Sequence, residues 1–311
     1  MNGCAPVGSN FRMAMSCPSA PPITRRGFLK GLAGCTGGLA VAGFGYMRWL
    51  EPSWLASPRH TLTLPAWRAA TPLRIAHLSD LHASPVVPYR QIERAIIDTL
   101  AASPDLICLT GDFVTREPDE PDHYARLLRR LSQAAPTFAV LGNHDGGAWS
   151  RNYGGQPDTR AVRRVLDLAE IQCLHNRSVT IELHGQPLHL VGVGDWWAGQ
   201  LDARLAFGGG AGRQDELPTV VLSHNPDTKE ALSPYPWDLL LSGHTHGGQL
   251  SLPLLGTPFA PVHDHRYVHG LKPWRDRWIH VTSGVGNLHG LRLGCRPEVS
   301  LIDITPQYDE T

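Results

Sequence analysis

The sequence carries no net charge. Its 311 residues include 28 basic and 28 acidic side chains, which gives a formal net charge of +0 at pH 7. Proteins that bind nucleic acid usually carry an excess of Lys and Arg on one surface. We therefore expect no nucleic-acid partner, and a nuclease function is disfavoured.

Cysteine is also scarce. The chain contains 6 cysteines, and a domain of this length does not need disulfide staples to fold. Cys108 lies inside an apolar run, so only Cys173 and Cys295 remain as candidates for a disulfide outside the N-terminal segment. Nothing in the sequence indicates that these two meet, and buried thiols at all three positions are the interpretation we favour.

The N-terminal segment carries an export pattern. Residues 24–30 (TRRGFLK) match the twin-arginine consensus, and residues 31–47 form the small, apolar, charge-free stretch that follows such a signal. We expect residues 1–60 to form this signal and leader, and residues 61–311 to form one catalytic domain. The twin-arginine export machinery is then a partner, and the protein is expected in the periplasm or on the outer face of the inner membrane.

Two fates of the leader remain open. Residues 40–42 (AVA) offer a small-residue cleavage site. Alternatively, residues 31–47 approach the length of a spanning helix, and Trp49 and Trp54 can lie at the membrane surface. The sequence is therefore compatible with both a cleaved form and a membrane-anchored form.

Five short polar motifs give the clearest functional signal, because each follows an apolar run typical of a buried strand. Since α/β sheets gather functional groups at the carboxyl ends of their strands, we expect these motifs to converge. The predicted strands are residues 73–78, 106–110, 138–141, 219–222 and 239–241. The motifs are Asp80-Leu81-His82, Gly111-Asp112, Gly142-Asn143-His144-Asp145, His224 and Gly243-His244-Thr245-His246.

The motifs contain the ligand types of a metal centre. Carboxylate, amide oxygen and neutral imidazole together suit borderline divalent metals, here Mn, Fe, Zn, Co or Ni. The motifs contain no cysteine, which argues against a closed thiolate zinc site. The sequence therefore predicts an open, catalytic centre with enough ligands for two divalent metal ions.

The order of these motifs over residues 73–304 resembles the calcineurin-like metallophosphoesterase superfamily. Residues 243–249 (GHTHGGQ), followed by residues 252–256 (LPLLG), are similar to the exported YkuE/YaeI-like phosphodiesterase branch. The resemblance implies an α/β fold, a four-layer α-β-β-α sandwich of two mixed sheets flanked by helices. Pattern alone supports α/β, with helices at residues 89–102, 123–134 and 159–170 and strands at residues 178–182 and 188–193.

The resemblance also implies how the ligands are divided. One metal is expected to bind Asp80, His82 and His246, and the other Asn143, His224 and His244, with the carboxylate of Asp112 bridging them. The implied reaction is attack on phosphorus by a hydroxide that the two metals activate. No side-chain nucleophile is needed for such a reaction.

His144 is the predicted catalytic residue, because it directly follows ligand Asn143 and can donate a proton or a hydrogen bond to the phosphoester. Thr115 stands where phosphoprotein phosphatases have a second Asp and purple acid phosphatases a Tyr, so the chain is expected to belong to neither group. The partner that orients His144 stays open. Asp145 either adjusts His144 or caps a loop.

Three further features bear on the substrate. Trp196 and Trp197 form a pair in a loop bounded by glycines. They suit stacking on a base, sugar or acyl group, or alternatively they form a hydrophobic plug under the loop. Arg292, in the glycine-rich segment near the C-terminus, is predicted to contact phosphate. The three histidines of residues 261–270 suggest either a third metal or, in the reading we favour, a rim that contacts substrate.

The sequence thus predicts a dinuclear-metal-dependent phosphodiesterase of the cell envelope. Its substrate is expected to be a small-molecule or lipid-linked phosphoester. One alternative is a UDP-2,3-diacylglucosamine pyrophosphatase-type hydrolase of a lipid precursor. The other is a catalytically silent, metal-dependent binding module, which a broken ligand set would favour.

Overall fold

The computed structural model of the protein describes residues 24–209 and 217–306. The compact unit that carries the sheets begins at Gly45. The helices are α1 (Arg25–Gly45), α2 (Tyr89–Ala101), α3 (Pro121–Ser132), α4 (Ala148–Asn152), α5 (Arg160–Leu168) and α6 (Ala203–Ala206). The strands are β1 (Arg59–Thr63), β2 (Leu73–Leu78), β3 (Leu106–Thr110), β4 (Thr137–Val140), β5 (Gln172–Cys173), β6 (Arg177–Leu183), β7 (Gln186–Gly192), β8 (Thr219–Leu222), β9 (Leu239–Ser242), β10 (Gly270–Trp274), β11 (Arg277–Val281) and β12 (Ser300–Thr305).

The strands form two six-stranded sheets. The first has the order β1-β12-β2-β3-β4-β5 and the second β10-β11-β9-β8-β7-β6. Both sheets are mixed: β2, β3 and β4 run parallel while β12 is antiparallel to β2, and β7, β8 and β9 run parallel while β6 and β10 are antiparallel to their neighbours. The parallel strands of each sheet therefore bring their carboxyl ends to one edge.

The two sheets pack face to face. Alternate residues of a strand point to opposite faces, so Ile75 of β2 and Leu222 of β8 lie in the core between the sheets. Ala76, the next residue of β2, joins a second core beneath α2, α3 and α5. Because both faces are covered, the central strands are continuous apolar runs rather than alternating ones.

The outer face of the second sheet has a thinner cover. Val221 of β8 and Trp237 lie in a third core that is closed by α6, by a short 3₁₀ turn over His265–Tyr267 and by loops. The predicted sandwich of two mixed sheets flanked by helices is confirmed, but its helices are unequally distributed. The long amphipathic helices lie on the first sheet.

The central strands match their predicted bounds closely. The structure has the strands predicted at residues 73–78, 106–110 and 219–222 with those same bounds. The helix predicted at residues 123–134 begins instead at Pro121, which is favoured in the first turn because it lacks the N–H that a helix start leaves unpaired.

The N-terminal helical segment Arg25–Ser53 is long and apolar enough to cross a membrane, a test that a signal sequence near the N-terminus also passes. The compact unit begins before the boundary predicted between residues 60 and 61. Ala56 pairs with Glu298, and the buried carboxylate of Glu51 accepts a hydrogen bond from the N–H of Cys295 at 2.7 Å. Residues before 24, including Cys4 and Cys17, lie outside the described part of the chain, whereas Cys108, Cys173 and Cys295 are buried free thiols.

Candidate metal centre

The predicted ligands converge at the carboxyl ends of strands from both sheets. Asp80 and His82 follow β2, while Asp112 follows β3. On the second sheet, His224 follows β8 and His244 follows β9. Asn143, after β4, and His246 complete a set of seven side chains that are all at least nine-tenths buried. Motifs distant in sequence therefore line one site.

The ligand atoms form two overlapping clusters. One consists of Asp80, His82 and His246, and the other of Asp80, Asp112 and His224, with the potential ligand atoms of each cluster within 4.8 Å of one another. The first cluster has the composition predicted for one metal. Asp80 belongs to both clusters.

Asp112 belongs to the second cluster and also approaches His82 of the first. Its Oδ2 is 3.5 Å from Nε2 of His82 and 3.1 Å from Nε2 of His224. A single carboxylate oxygen therefore faces one imidazole from each predicted metal site. This is the position that a bridging ligand requires.

The second cluster extends to His244. Its Nδ1 is 3.2 Å from Nε2 of His224, and its main-chain N–H donates to the carboxylate of Asp80 at 3.0 Å. The other ring nitrogen of His224, Nδ1, is 2.7 Å from the carbonyl oxygen of Thr110. That contact leaves Nε2 of His224 to face the site, as in many metal centres where a carbonyl fixes the tautomer of a ligating histidine.

The backbone is strained where the ligands are held. Five of the seven predicted ligands have a positive φ: Asp80 (52°), His82 (47°), Asp112 (53°), His244 (68°) and His246 (51°). Non-glycine residues seldom adopt this conformation, and such residues concentrate at functional sites, where surrounding structure maintains them. The strain indicates that the turns are shaped to aim side chains rather than to minimise local energy.

Two glycines allow the ligands to approach the backbone. A Cβ at Gly142 would overlap the carboxylate of Asp112, and a Cβ at Gly243 would overlap Ser79 and the carboxylate of Asp80. Only glycine fits at either position without displacing a ligand.

The imidazoles of the first cluster are held neutral. Burial lowers the pKa of His82 and of His246 to about 3. His224 differs: burial lowers its pKa, but the charge and the hydrogen bond of Asp112, together with the charges of Asp80 and Asp195, more than offset that effect and hold the pKa above its usual value. The reciprocal attraction holds the pKa of Asp112 below its usual range despite burial. Neutral imidazoles beside an ionised carboxylate are suited to a divalent cation.

Several ligand atoms are buried without a protein partner. Nε2 of His82, Oδ1 of Asn143, Nε2 of His244 and Nδ1 of His246 have no hydrogen-bond partner within the described residues. Buried polar atoms are rarely left unsatisfied in native proteins. Nitrogen and oxygen atoms of this kind, grouped around Asp80, fit the donor set of a divalent-metal centre.

A family model matches the part of the chain that carries these ligands. The family model for the calcineurin-like phosphoesterases matches residues 73–248, a range that contains all seven predicted ligands. The chain belongs to the calcineurin-like phosphoesterase family. Together with the two clusters, this makes it a metal-dependent phosphoester hydrolase with a two-metal site.

Three curated relatives refine the placement of this phosphoesterase. It is 42% identical to phosphodiesterase YaeI of Escherichia coli over 283 residues, covering 91% of this chain and 99% of the relative. It is 30% identical to the metallophosphoesterase YkuE of Bacillus subtilis, over 91% and 98% of the two chains. It is also 30% identical to the UDP-2,3-diacylglucosamine pyrophosphatase LpxG of Chlamydia trachomatis, over 81% and 90%. The predicted YkuE/YaeI-like branch is thus confirmed.

The phosphoesterase holds His144 at the side of the metal centre. Nδ1 of His144 lies 3.0 Å from the carbonyl oxygen of Thr115, and its ring packs edge-on against His82 with 5.0 Å between centroids. The partner that the sequence left open is therefore a main-chain carbonyl. A main-chain acceptor has no signature in the residue type, so sequence patterns cannot reveal it.

Asp145 caps the site's turns. Its carboxylate accepts hydrogen bonds from the N–H groups of Asp112 (2.9 Å), Phe113 (2.8 Å) and Gly142 (2.8 Å). Burial and the charge of Asp112 raise the pKa of Asp145, while these N–H groups oppose the rise. Of the two roles considered for Asp145, the geometry matches the capping one.

Aromatic side chains form a wall beside the centre. The ring of Trp197 lies 4.3 Å from His244 and that of Trp149 lies 4.7 Å from His144, with 6.0 Å between the two indoles. Trp197 is 40% exposed and Trp196 is 37% exposed. The pair is therefore not a fully buried plug, and Trp197 touches a predicted ligand.

Arg292 does not occupy the position predicted for a substrate contact. Its side chain is fully buried, and its guanidinium donates hydrogen bonds to the carbonyl oxygens of Ser283, Gly284, Gly286 and Cys295. An arginine in this environment holds main-chain segments together and is closed off from solvent. Its sequence context, a glycine-rich segment, gave no indication of burial.

Asp195 is a residue that sequence reasoning did not assign to the site. Burial raises the pKa of Asp195 to about 6. The charge of His224 opposes this rise, and the charge of Asp112 adds to it. Its Oδ1 accepts the N–H of Ala198 at 2.7 Å, which closes the turn that carries Trp197. Asp195 follows β7 as the ligands follow their strands, so the same positional rule identifies it.

The histidines of residues 261–270 do not form a third metal cluster within the described chain. His269 is paired with Glu298 at 3.0 Å, while the side chain of His263 is 82% exposed and lies 3.6 Å from Asp227. His263 and His269 therefore face different acidic partners.

Proposed function

We propose that the protein is a phosphodiesterase that acts at the cell envelope on a phosphodiester with a large apolar or aromatic group. The observation that carries this proposal is the position of the aromatic wall, with Trp149 against His144 and Trp197 against His244. A group stacked on these indoles lies beside both the metal ligands and the predicted acid. The relative YaeI is named as a phosphodiesterase.

Two sets of side chains would hold the two metals. Asp80, His82 and His246 would hold one metal, while Asn143, His224 and His244 would hold the other, with Asp112 between them. Two divalent ions held in this way neutralise phosphoryl oxygens and lower the pKa of water.

In this proposal His144 donates a proton to the leaving oxygen. Thr115 engages its Nδ1, which leaves Nε2 as the ring nitrogen that can hold and donate a proton. Trp149 and Trp197 pack against the imidazoles and exclude water from this side of the site.

A second candidate is hydrolysis of a nucleotide-linked lipid precursor. The chlamydial relatives are named as UDP-2,3-diacylglucosamine pyrophosphatases and match at 30% and 31% identity. Half-exposed indoles suit both a nucleobase and an acyl chain. The two candidates share the metal centre and differ in the leaving group.

A turnover screen distinguishes them. The metal-reconstituted full chain would be assayed with bis-aryl phosphate, mono-aryl phosphate and UDP-2,3-diacylglucosamine, with metal content measured in parallel. We expect diester turnover to exceed monoester turnover, and Trp197→Ala to raise KM more than Trp197→Phe because phenylalanine keeps a stacking face. No turnover with any divalent metal would instead favour the silent binding module.

Export through the twin-arginine pathway is the part of the proposal that rests on the leader. It is supported by residues 24–30 and by the apolar stretch of residues 31–45, which continues the same helix, Arg25–Gly45. The double variant Arg25→Lys/Arg26→Lys should remain in the cytoplasm as an active, metal-loaded enzyme, since this pathway carries folded proteins. Cell fractionation with activity assays tests this, and normal appearance of the variant outside the inner membrane would refute it.

A further inference from the structure

A second cavity lies beside the metal centre and contains none of its seven predicted ligands. It has a volume of about 610 Å³, and Gly247 and Ser283 form the wall nearest the ligand His246. The lining also includes Arg266, Lys272 and Arg296. The cavity is therefore distinct from the metal centre and rich in cationic side chains.

The two acidic side chains of the lining are buried. Glu298 pairs with His269 at 3.0 Å and accepts the N–H of Ser283 at 3.0 Å. Glu51 accepts the N–H of Cys295 at 2.7 Å through Oε1, while its Oε2 has no hydrogen-bond partner in residues 24–209 and 217–306.

The cations, in contrast, are partly available. Lys272 has no ion-pair partner among residues 24–209 and 217–306, and His265 has none there either. The hydrogen bond to Glu298 raises the pKa of His269. Arg266 is paired with Asp264 at 2.7 Å and remains largely exposed. The cavity therefore favours an anionic ligand, and phosphate matches this arrangement of nitrogen donors.

Exposed apolar side chains stand on one side of the cavity. Ser251 and Thr257 line the wall, and the tight turn between them presents Leu254 and Leu255, which are 107% and 72% exposed. Two consecutive leucines that are open to solvent are unfavourable in water unless another apolar phase covers them.

A second part of the lining is bordered by exposed apolar side chains as well. Tyr46 and Glu51 line it, and the helical turns that contain them expose Trp49 (65%) and Leu50 (56%). Trp54, 52% exposed, lies under the guanidinium of Arg296, whose carbon is 4.0 Å from the ring centroid. Tryptophan beside arginine is typical of side chains at a membrane surface.

This part of the lining is continuous in sequence with an apolar helix. Tyr46 directly follows α1, and the segment Arg25–Ser53 is long and apolar enough to enter a membrane. A cationic pocket bordered by exposed apolar side chains is complementary to a phospholipid, with phosphate in the pocket and acyl chains against Leu254, Leu255 and Trp54.

We propose that this cavity binds the phosphate headgroup of an anionic phospholipid in the membrane surface. The site is separate from the reaction site, so the proposal does not depend on the substrate. Lys272 and Arg266 bind the headgroup, while the leucine pair contacts the acyl region. Such a contact would hold the catalytic unit at a defined orientation on the membrane.

The test uses the full chain in nonionic detergent with bound lipid measured by native mass spectrometry. The probes are phosphatidylglycerol, phosphatidylcholine and inorganic phosphate. The charge-reversal variant is Arg266→Glu/Lys272→Glu. A matched control is Arg90→Glu/Arg126→Glu, which reverses two exposed arginines on α2 and α3.

We expect the wild type to retain phosphatidylglycerol in preference to phosphatidylcholine. The charge-reversal variant should lose this preference by roughly tenfold or more, and the control should keep it. Leu254→Ser/Leu255→Ser should weaken retention of the lipid. Inorganic phosphate that binds as tightly as the lipid and ignores the leucine change would overturn the lipid assignment in favour of a free-anion site.

The proposal would be overturned altogether if the wild type retained both lipids equally. It would also be overturned if the charge-reversal variant retained phosphatidylglycerol as well as the control variant does. If the charge-reversal protein fails to fold, hydrogen exchange on the wild type decides. Lipid discs that contain phosphatidylglycerol should protect residues 252–256 and 265–272 more than discs of phosphatidylcholine alone, and equal exchange would contradict the site.

Discussion

The carboxylate of Asp145 accepts the main-chain N–H of Asp112 at 2.9 Å. The same carboxylate accepts the N–H of Gly142 at 2.8 Å, so one buried side chain joins the turn after β3 to the turn after β4. Asp112 is held with φ at 53°, and its Oδ1 in turn accepts the N–H of His144 at 2.9 Å. The predicted bridging carboxylate, the turn that carries the predicted amide ligand and the predicted acid are therefore positioned by one network.

Asp145→Asn should disturb the metal centre although it replaces none of the predicted ligands. An amide keeps one acceptor oxygen but turns an NH₂ group towards main-chain donors, which should lower the free energy of unfolding by about 1–3 kcal/mol. Metal occupancy should fall as Asp112 is released. Denaturant unfolding and metal analysis would measure both effects, with the exposed Asp119→Asn as the matched control. Unchanged stability and occupancy would assign Asp145 no positioning role.

His144→Ala should separate catalysis from metal binding. We expect both metals to remain and turnover to fall by a factor on the order of 100 to 10,000, as for loss of a positioned acid. The loss should be smaller for nitrophenolate than for alkoxide leaving groups, because a good leaving group needs no proton. Equal losses for the two would favour stabilisation of the phosphoryl oxygens.

Thr115→Val provides a control for that interpretation. The variant keeps the carbonyl oxygen that lies 3.0 Å from Nδ1 of His144 and loses only the hydroxyl near His82. At full metal occupancy, turnover should therefore stay well above that of His144→Ala, although losing the hydroxyl beside Nδ1 of His82 should weaken metal binding. A loss comparable to that of His144→Ala would mean that the hydroxyl, rather than the carbonyl, sustains the acid.

Arg292→Lys distinguishes a structural arginine from a substrate ligand. Lysine keeps the charge but cannot reach the four carbonyls that the guanidinium binds, so the melting temperature should fall while KM changes little. Thermal unfolding and steady-state kinetics of the same preparation test this. A raised KM at an unchanged melting temperature would restore the predicted phosphate contact.

The pH dependence of stability should reflect a buried histidine pair between the sheets. Nδ1 of His77 lies 2.9 Å from Nδ1 of His280, and burial lowers the pKa of His77 to about 3. Both groups stay neutral in the folded state, while the unfolded state takes up protons below its pKa near 6.5. Stability should therefore fall as the pH drops from about 6.5 towards 3.

His77→Phe should weaken that dependence. Each buried neutral histidine contributes a slope of about 1.4 kcal/mol per pH unit in this window. The variant should thus have a shallower slope than the wild type, although it is less stable at pH 7. Denaturant unfolding of metal-loaded protein between pH 6.5 and 5 measures the difference, and identical slopes would contradict the neutral state of His77.

The strands and ligand motifs were predictable because burial of a strand requires a recognisable pattern of apolar residues in the local sequence. Strands β3 and β8 are covered on both faces and therefore appear as nearly continuous apolar runs, and the polar residue after each run marks the site edge. The convergence of Asp80 with His224 and His246 followed from that positional rule and from the family's motif order.

Features that depend on main-chain contacts were not predictable. Thr115 orients His144 through its carbonyl, which every residue type possesses. Arg292 has the residue type of a phosphate ligand, and only the fold shows that carbonyls surround it. The shortness of α6 likewise reflects tertiary cover of the second sheet by loops rather than a local pattern.

The central claim is a two-metal centre that Asp112 spans, with its Oδ2 at 3.5 Å from His82 and 3.1 Å from His224. The most direct measurement is the metal content per chain of purified wild type and Asp112→Ala, taken together with turnover and circular dichroism. We predict two metals in the wild type and, in a folded Asp112→Ala protein, loss of at least one metal and most of the activity. An Asp112→Ala protein with full metal occupancy and full turnover would contradict this account.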